Sequence, residues 1–183
     1  MQKVVNAKMG RIVFAQFGPD EDVYRGLVDL IVREKLKTGI ILTVTGGLNK
    51  VRLSMPRRPD APAASPGFIE LEGGTEAQGN GYFGWTKETW FNDLSQIRHN
   101  AGEPFLHCHM TVSNGGQTYM GHLIDGCKVR SLLPQSHFIA IVCEAEGVEL
   151  TFHCSEETNE QYPNGMPYYK LIEAGPAAGE QRP

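Results

Sequence analysis

Between Glu103 and Leu123 the chain reads EPFLHCHMTVSNGGQTYMGHL, and this stretch restricts the fold more narrowly than any other. Residues 105–112 alternate, placing Leu106, Cys108, Met110 and Val112 on one face of a strand and His107, His109 and Thr111 on the other. Asn114-Gly115 follows, a dipeptide that tolerates the positive φ angles a two-residue hairpin turn demands. A turn centred there sets Ser113 opposite Gly116. The ladder then puts His107 opposite His122, Leu106 opposite Leu123, Cys108 opposite Gly121 and Met110 opposite Tyr119. The apolar positions share the face that meets a core. His109, facing Met120, becomes a diagonal neighbour of His122 on the opposite face.

Directly opposed strand residues have Cβ atoms about 5 Å apart and diagonal ones about 7 Å, close enough for imidazoles to converge on one ion. Zinc requires ring nitrogens at about 2.0–2.1 Å. His107, His109 and His122 can therefore form a metal-binding triangle. Histidine is also an acceptable polar residue on a solvated strand face, so spacing alone leaves both readings open. A bulged or three-residue turn using Gly116 would shift the register by one and weaken the metal reading.

The rest of the chain supplies an α/β framework of α+β type, a mainly antiparallel sheet with one main N-terminal helix packed on it. KMGRIVFAQF (8–17) has strand composition, and GPDEDVYRGLVDLIVREKL follows as a helix with Val23, Leu27, Leu30 and Ile31 at helical spacing. Asp20, Glu21 and Asp22 suit its positive end and Arg33, Lys35 and Lys37 its negative end, with Gly39 as the expected stop. IILTVTGG then reads as a buried strand ending in a Gly-Gly turn and LNKVRLSM as its antiparallel neighbour, a β-α-β-β opening. The proline-rich stretch 56–67 is expected to be a loop inside one domain spanning 1–174, and 175–183 a disordered tail. Residues 68–85 suggest one or two short strands interrupted by glycines. Residues 86–103 suggest a short helix begun by Thr86, or an irregular insertion carrying Trp90 and Phe91 inward. CKVRSLL, HFIAIVCEA and VELTFHC are further strand candidates.

Composition excludes several classes. No window approaches the roughly 18 apolar residues of a membrane helix, and no leader precedes the first strand, so a cytoplasmic protein is expected. Cys108, Cys127, Cys143 and Cys154 form no Cys-x-x-Cys pair and read as reduced, buried hydrophobes. A net charge of -4 works against nonspecific nucleic-acid affinity. TVTGGLNK lacks phosphate-loop spacing. His99, His137 and His153 stand apart from the cluster as structural or exposed residues. Arg57, Arg58 and nearby Arg52 read as a basic patch or, by preference, as solvated loop charges.

The run PFLHCHMTVSNGGQTYMGHLIDGCKV (104–129) resembles the signature of the PPC (plants and prokaryotes conserved) domain family, found in bacterial single-domain proteins and in plant AT-hook nuclear proteins. FAQFGPDEDVYRGLVDLIVREKLKTGIILTVTGGLNKVRLSM (14–55) resembles its N-terminal half. The resemblance implies a homotrimer and, in prokaryotic members, zinc (Zn2+, or another divalent transition metal) held by His107, His109 and His122. Plant members carry a separate AT-hook built on Arg-Gly-Arg-Pro, where this chain has only PRRP at 56–59. DNA is therefore a disfavoured partner.

Three histidines leave a coordination position open, as in catalytic zinc sites. Glu103 and Asp125, near the motif, and Glu70 and Glu76, near the family's mid-chain glutamate, are the candidate general bases. Each also reads as an ordinary surface or turn acid. The expectation is a zinc-binding PPC-type protein with a DNA-associated or regulatory role. The alternative is a metalloenzyme that activates water on a small molecule.

Overall fold

A computed structural model describes residues 2–55, 67–92, 97–130, 137–159 and 162–174. Their order is β1 (Lys8–Phe17), α1 (Val23–Arg33), β2 (Gly39–Ser54), β3 (Phe68–Thr86), β4 (Trp90–Asn92), β5 (Ile97–His99), β6 (Pro104–Asn114), β7 (Gln117–Leu123), β8 (Lys128–Val129), β9 (Phe138–Glu146), β10 (Val148–Cys154) and β11 (Pro167–Glu173). The sheet is antiparallel except where β10 runs beside β3. Among the described residues α1 is the only helix.

Helix α1 forms where its apolar spacing predicts. Val23, Leu27, Leu30 and Ile31 are all buried in the main core with Ile41, Val44, Met110 and Val142, each contributing roughly 1.5–3 kcal/mol by leaving water. Asp22 is the N-cap, its carboxylate accepting from the Arg25 amide at 3.1 Å, an interaction of about 1 kcal/mol. The helix stops before Gly39. Lys35 takes a left-handed φ of 56°, with the Lys35 amide donating to Val32 and the Leu36 amide to Ile31. This double closure satisfies the last carbonyls, so Gly39 is free to begin β2.

Gly46-Gly47 makes no turn. Strand β2 runs unbroken through both, with Gly46 paired to Ala77 and Gly47 to Glu76, so LNKVRLSM continues the strand instead of folding back beside it. The β-α-β-β opening survives with β3 as its last strand. Strand β3 is itself one 19-residue element, not the one or two short strands expected from its glycines. It pairs with β2 on one edge and β6 on the other. Gly81 permits that packing: a Cβ there would stand 2.0 Å from the His107 carbonyl oxygen.

The β7 strand returns to β2 through Leu53–Leu123 and Ser54–His122. The pairings β2–β3–β6–β7–β2 thus close on themselves, and Leu48, Val51, Leu53, Cys108, Met110 and Leu123 are buried in the core. The described part of residues 86–103 contains no helix; Trp90–Asn92 and Ile97–His99 pair there as antiparallel strands β4 and β5. The reason is the second core, where Trp90, Phe105 and Phe152 pack together and the Trp90 indole donates to the Gly165 carbonyl at 3.1 Å. Alternation then sends Phe91 outward, to 38% exposure. Cys108, Cys127 and Cys143 are buried as expected, but Cys154 is only half-buried. Strand β11 was not anticipated from the sequence. Residues 56–66, with Arg57 and Arg58, and the tail 175–183 lie outside the described residues.

Gly81→Ala should destabilise the protein by about 1–3 kcal/mol, because a methyl group is forced against the β6 backbone; urea unfolding will measure it. His99 stacks against both Trp90 and Phe152, and burial pushes its pKa down to about 4. Because the unfolded chain takes up that proton first, His99 favours folding fully above pH ~6.5 and loses its contribution as pH falls toward 4. The urea midpoint of metal-free protein should drop over this interval, and less steeply in His99→Phe.

Candidate metal centre

The β6–β7 hairpin forms, but its turn sits one residue later than Asn114-Gly115 predicts. Gly115 and Gly116 occupy the two central positions with φ of 56° and 82°, the two positive angles such a turn requires. Glycine takes these angles without a Cβ penalty. Asn114 instead pairs with Gln117 and donates its side-chain amide to Thr75 Oγ1 at 3.2 Å. The register changes with the turn. His109, not His107, lies opposite His122; Met110 faces Gly121 and Val112 faces Tyr119. Moving a two-residue turn by one position displaces the partners by two, which preserves the faces. Leu106, Cys108, Met110, Val112 and Leu123 are accordingly buried, and the three histidines still share the other face.

One ring nitrogen from each of His107, His109 and His122 lies within 4.8 Å of the other two. Nε2 of His109 is 3.0 Å from Nε2 of His122. Burial, reinforced by His122 and His109, pushes the His107 pKa down to about 4. Burial and His109 also lower His122, opposed by a hydrogen bond to the Ser54 backbone. Neutral imidazoles at neutral pH are what a divalent ion requires.

Surrounding groups engage two of these rings, His107 and His122. Since His122 Nε2 faces His109, its other nitrogen is free to donate to Ser54, whose position opposite His122 follows from ring closure. His107 Nδ1 lies 3.0 Å from the Tyr169 hydroxyl, and the Tyr82 ring stacks on His107 at 4.9 Å between centroids and 10° between planes. Such partners set which nitrogen carries the proton and which is left for metal. Ser54, Tyr82 and Tyr169 carry no local sequence signal for this site. Tyr82 is opposite His107 across the β3–β6 ladder, a relation visible only once that register is known.

The four candidate acids are engaged elsewhere. Glu70 pairs with Arg52 at 3.4 Å, Glu76 with Arg130 at 4.0 Å, and Asp125 with Arg25 at 3.0 Å and Arg52 at 3.4 Å. Glu103 accepts from Asn100 at 2.8 Å. Among the described residues no carboxylate joins the histidine cluster. Away from it, His153 bridges Glu88 and Thr151 at 3.1 and 2.9 Å, and His137 is exposed.

A helix-backed, ring-closed antiparallel sheet bearing three converging histidines defines a β-rich domain compatible with metal binding. Residues 5–134 match the Plants and Prokaryotes Conserved (PCC) domain, and the chain belongs to that family, the one its hairpin resembles. Three solved structures share the fold. The metal-containing protein of Archaeoglobus fulgidus has a TM-score of 0.62 at 14% identity, covering 90% of this chain and 98% of that one. A plant- and prokaryote-conserved protein of Pyrococcus horikoshii gives 0.61 at 18%, covering 90% and 97%. A protein of Bacteroides thetaiotaomicron proposed to bind DNA gives 0.57 at 13%, covering 90% and 96%. No curated protein matches the chain in sequence.

Proposed function

We propose that this protein is a metal-binding member of its family, in which His107, His109 and His122 hold one divalent transition ion, zinc foremost. The convergence of one ring nitrogen from each of three histidines carries this reading. The far-side partners of His107 and His122 agree with it, since metal-bound histidines typically donate their second N–H to a fixed acceptor. The metal-containing A. fulgidus structure is consistent in fold.

Three protein ligands leave a position for water or a small ligand, and a bound ion would lower the pKa of that water. The absence of a clustered carboxylate among the described residues weighs against the enzyme reading, because no acid stands ready as general base. A DNA-associated role has support only from relatives of similar fold, such as the B. thetaiotaomicron protein. Here Arg11, Arg25, Lys50, Arg52, Lys87, Lys128 and Arg130 each lie within ion-pair reach of an acid, which disperses the positive potential a phosphate backbone would need.

The remainder of the histidine face supports a homo-oligomer, read as a trimer. Ile12, Cys143, Ile40, Tyr82 and His107 form a continuous cross-strand row from β1 to β6, and Ile12, Ile40 and neighbouring Phe14 are 48%, 44% and 71% exposed. Exposed apolar area of this kind marks an association surface. Light scattering should give three chains per particle, and Phe14→Glu should shift the population to monomer.

Elemental analysis of purified protein should find about one zinc per chain, with the metal lost from His107→Ala, His109→Ala and His122→Ala and retained in Glu70→Gln. Unchanged zinc in the three histidine variants would falsify the site.

A further inference from the structure

We infer that Tyr169 is a positioning residue for the histidine cluster: its hydroxyl accepts the Nδ1 proton of His107 and thereby reserves Nε2 for the ion. This rests on the metal reading above and assigns a role to a part of the chain beyond the family match at residues 5–134.

Successive ladders deliver the phenol. Strand β10 runs beside β3 through Thr151–Trp85 and Phe152–Thr86. Strand β11 then pairs with β10, setting Tyr169 opposite Phe152. The Tyr169 ring packs on Phe105 at 5.2 Å and Phe152 at 5.7 Å between centroids, so its hydroxyl is held from two sides. That hydroxyl lies 3.0 Å from His107 Nδ1 and is hydrogen-bonded onward to Tyr82.

The donor count admits one consistent order. If His107 is to give the lone pair of Nε2 to a metal as a neutral ring, its proton must sit on Nδ1. Nδ1–H then donates to the Tyr169 oxygen, and the Tyr169 O–H donates to the Tyr82 oxygen. Tyr82 fixes the tilt of the ring by stacking, at 10° between planes, while Tyr169 fixes its tautomer. For His122 the Ser54 backbone performs the second task. The cluster therefore has two separate tautomer locks, one on a backbone carbonyl and one on a side chain that mutation can remove.

Tyr169→Phe tests this, since it deletes one oxygen and leaves the aromatic packing. Long-range 1H–15N spectra of metal-free protein should show His107 with its proton on Nδ1 in the wild type and a mixture of tautomers in the variant. His122 should stay unchanged as an internal control of folding. Competitive zinc titration should find the variant weaker by about 10–100-fold. Tyr82→Phe, which breaks only the onward link, should cost less. An unchanged His107 tautomer, or unchanged zinc affinity, overturns the inference. A wild type that takes up no zinc, while the tautomer still depends on Tyr169, overturns the metal reading alone.

Discussion

The β6 ladder is the constraint on which the rest of the structure depends. Strand β6 is paired on one edge with β3, from Pro104–Trp85 to Ser113–Glu76, and on the other with β7. Its alternation sends Leu106, Cys108, Met110 and Val112 into the core and leaves His107 and His109 on the opposite side. A strand buried on one face cannot slip by a single residue without turning all of those apolar side chains into water. The burial that holds the core together therefore also holds the histidines in common register.

Ring closure converts that register into a site. Because β7 returns to β2, Ser54 comes opposite His122, and a backbone carbonyl becomes available to a ring that would otherwise face solvent. Close packing at Gly81 does the corresponding work on the other edge, bringing β3 near enough for Tyr82 to lie over His107. Strand β11 then adds Tyr169 beside His107. The three histidines share one local hairpin, but Ser54, Tyr82 and Tyr169 beside them come from strands far apart in the chain, brought there by backbone hydrogen bonds.

The charged groups show why sequence proximity is a poor guide to chemistry. Glu103 and Asp125 flank the histidine hairpin in the chain, yet Asp125 is drawn to Arg25 and Arg52, and Glu103 to Asn100. Asp22, whose sequence position suggests only helix electrostatics, is instead a buried hub that caps α1 and accepts from the Gly126 amide at 2.7 Å. Side chains with several polar partners nearby settle where those partners are, and that is decided by packing.

By itself the sequence determined the helix, the hairpin, and which residues of that hairpin face the core, because periodicity and turn chemistry are local properties. It also determined that His107, His109 and His122 share a face; even a misplaced turn left this intact, since the error moved partners by two positions and not one. Tertiary structure alone decided that His109 rather than His107 opposes His122, where Asn114's hydrogen bond to Thr75 accompanies a turn on Gly115-Gly116. It alone decided that β2 and β3 run straight through their glycines, and that the described residues around Trp90 form the paired strands β4 and β5. It alone brought Ser54, Tyr82 and Tyr169 to the cluster. Each of these depends on long-range strand pairing, whose register is set by the joint burial of many side chains and is not encoded in any one segment.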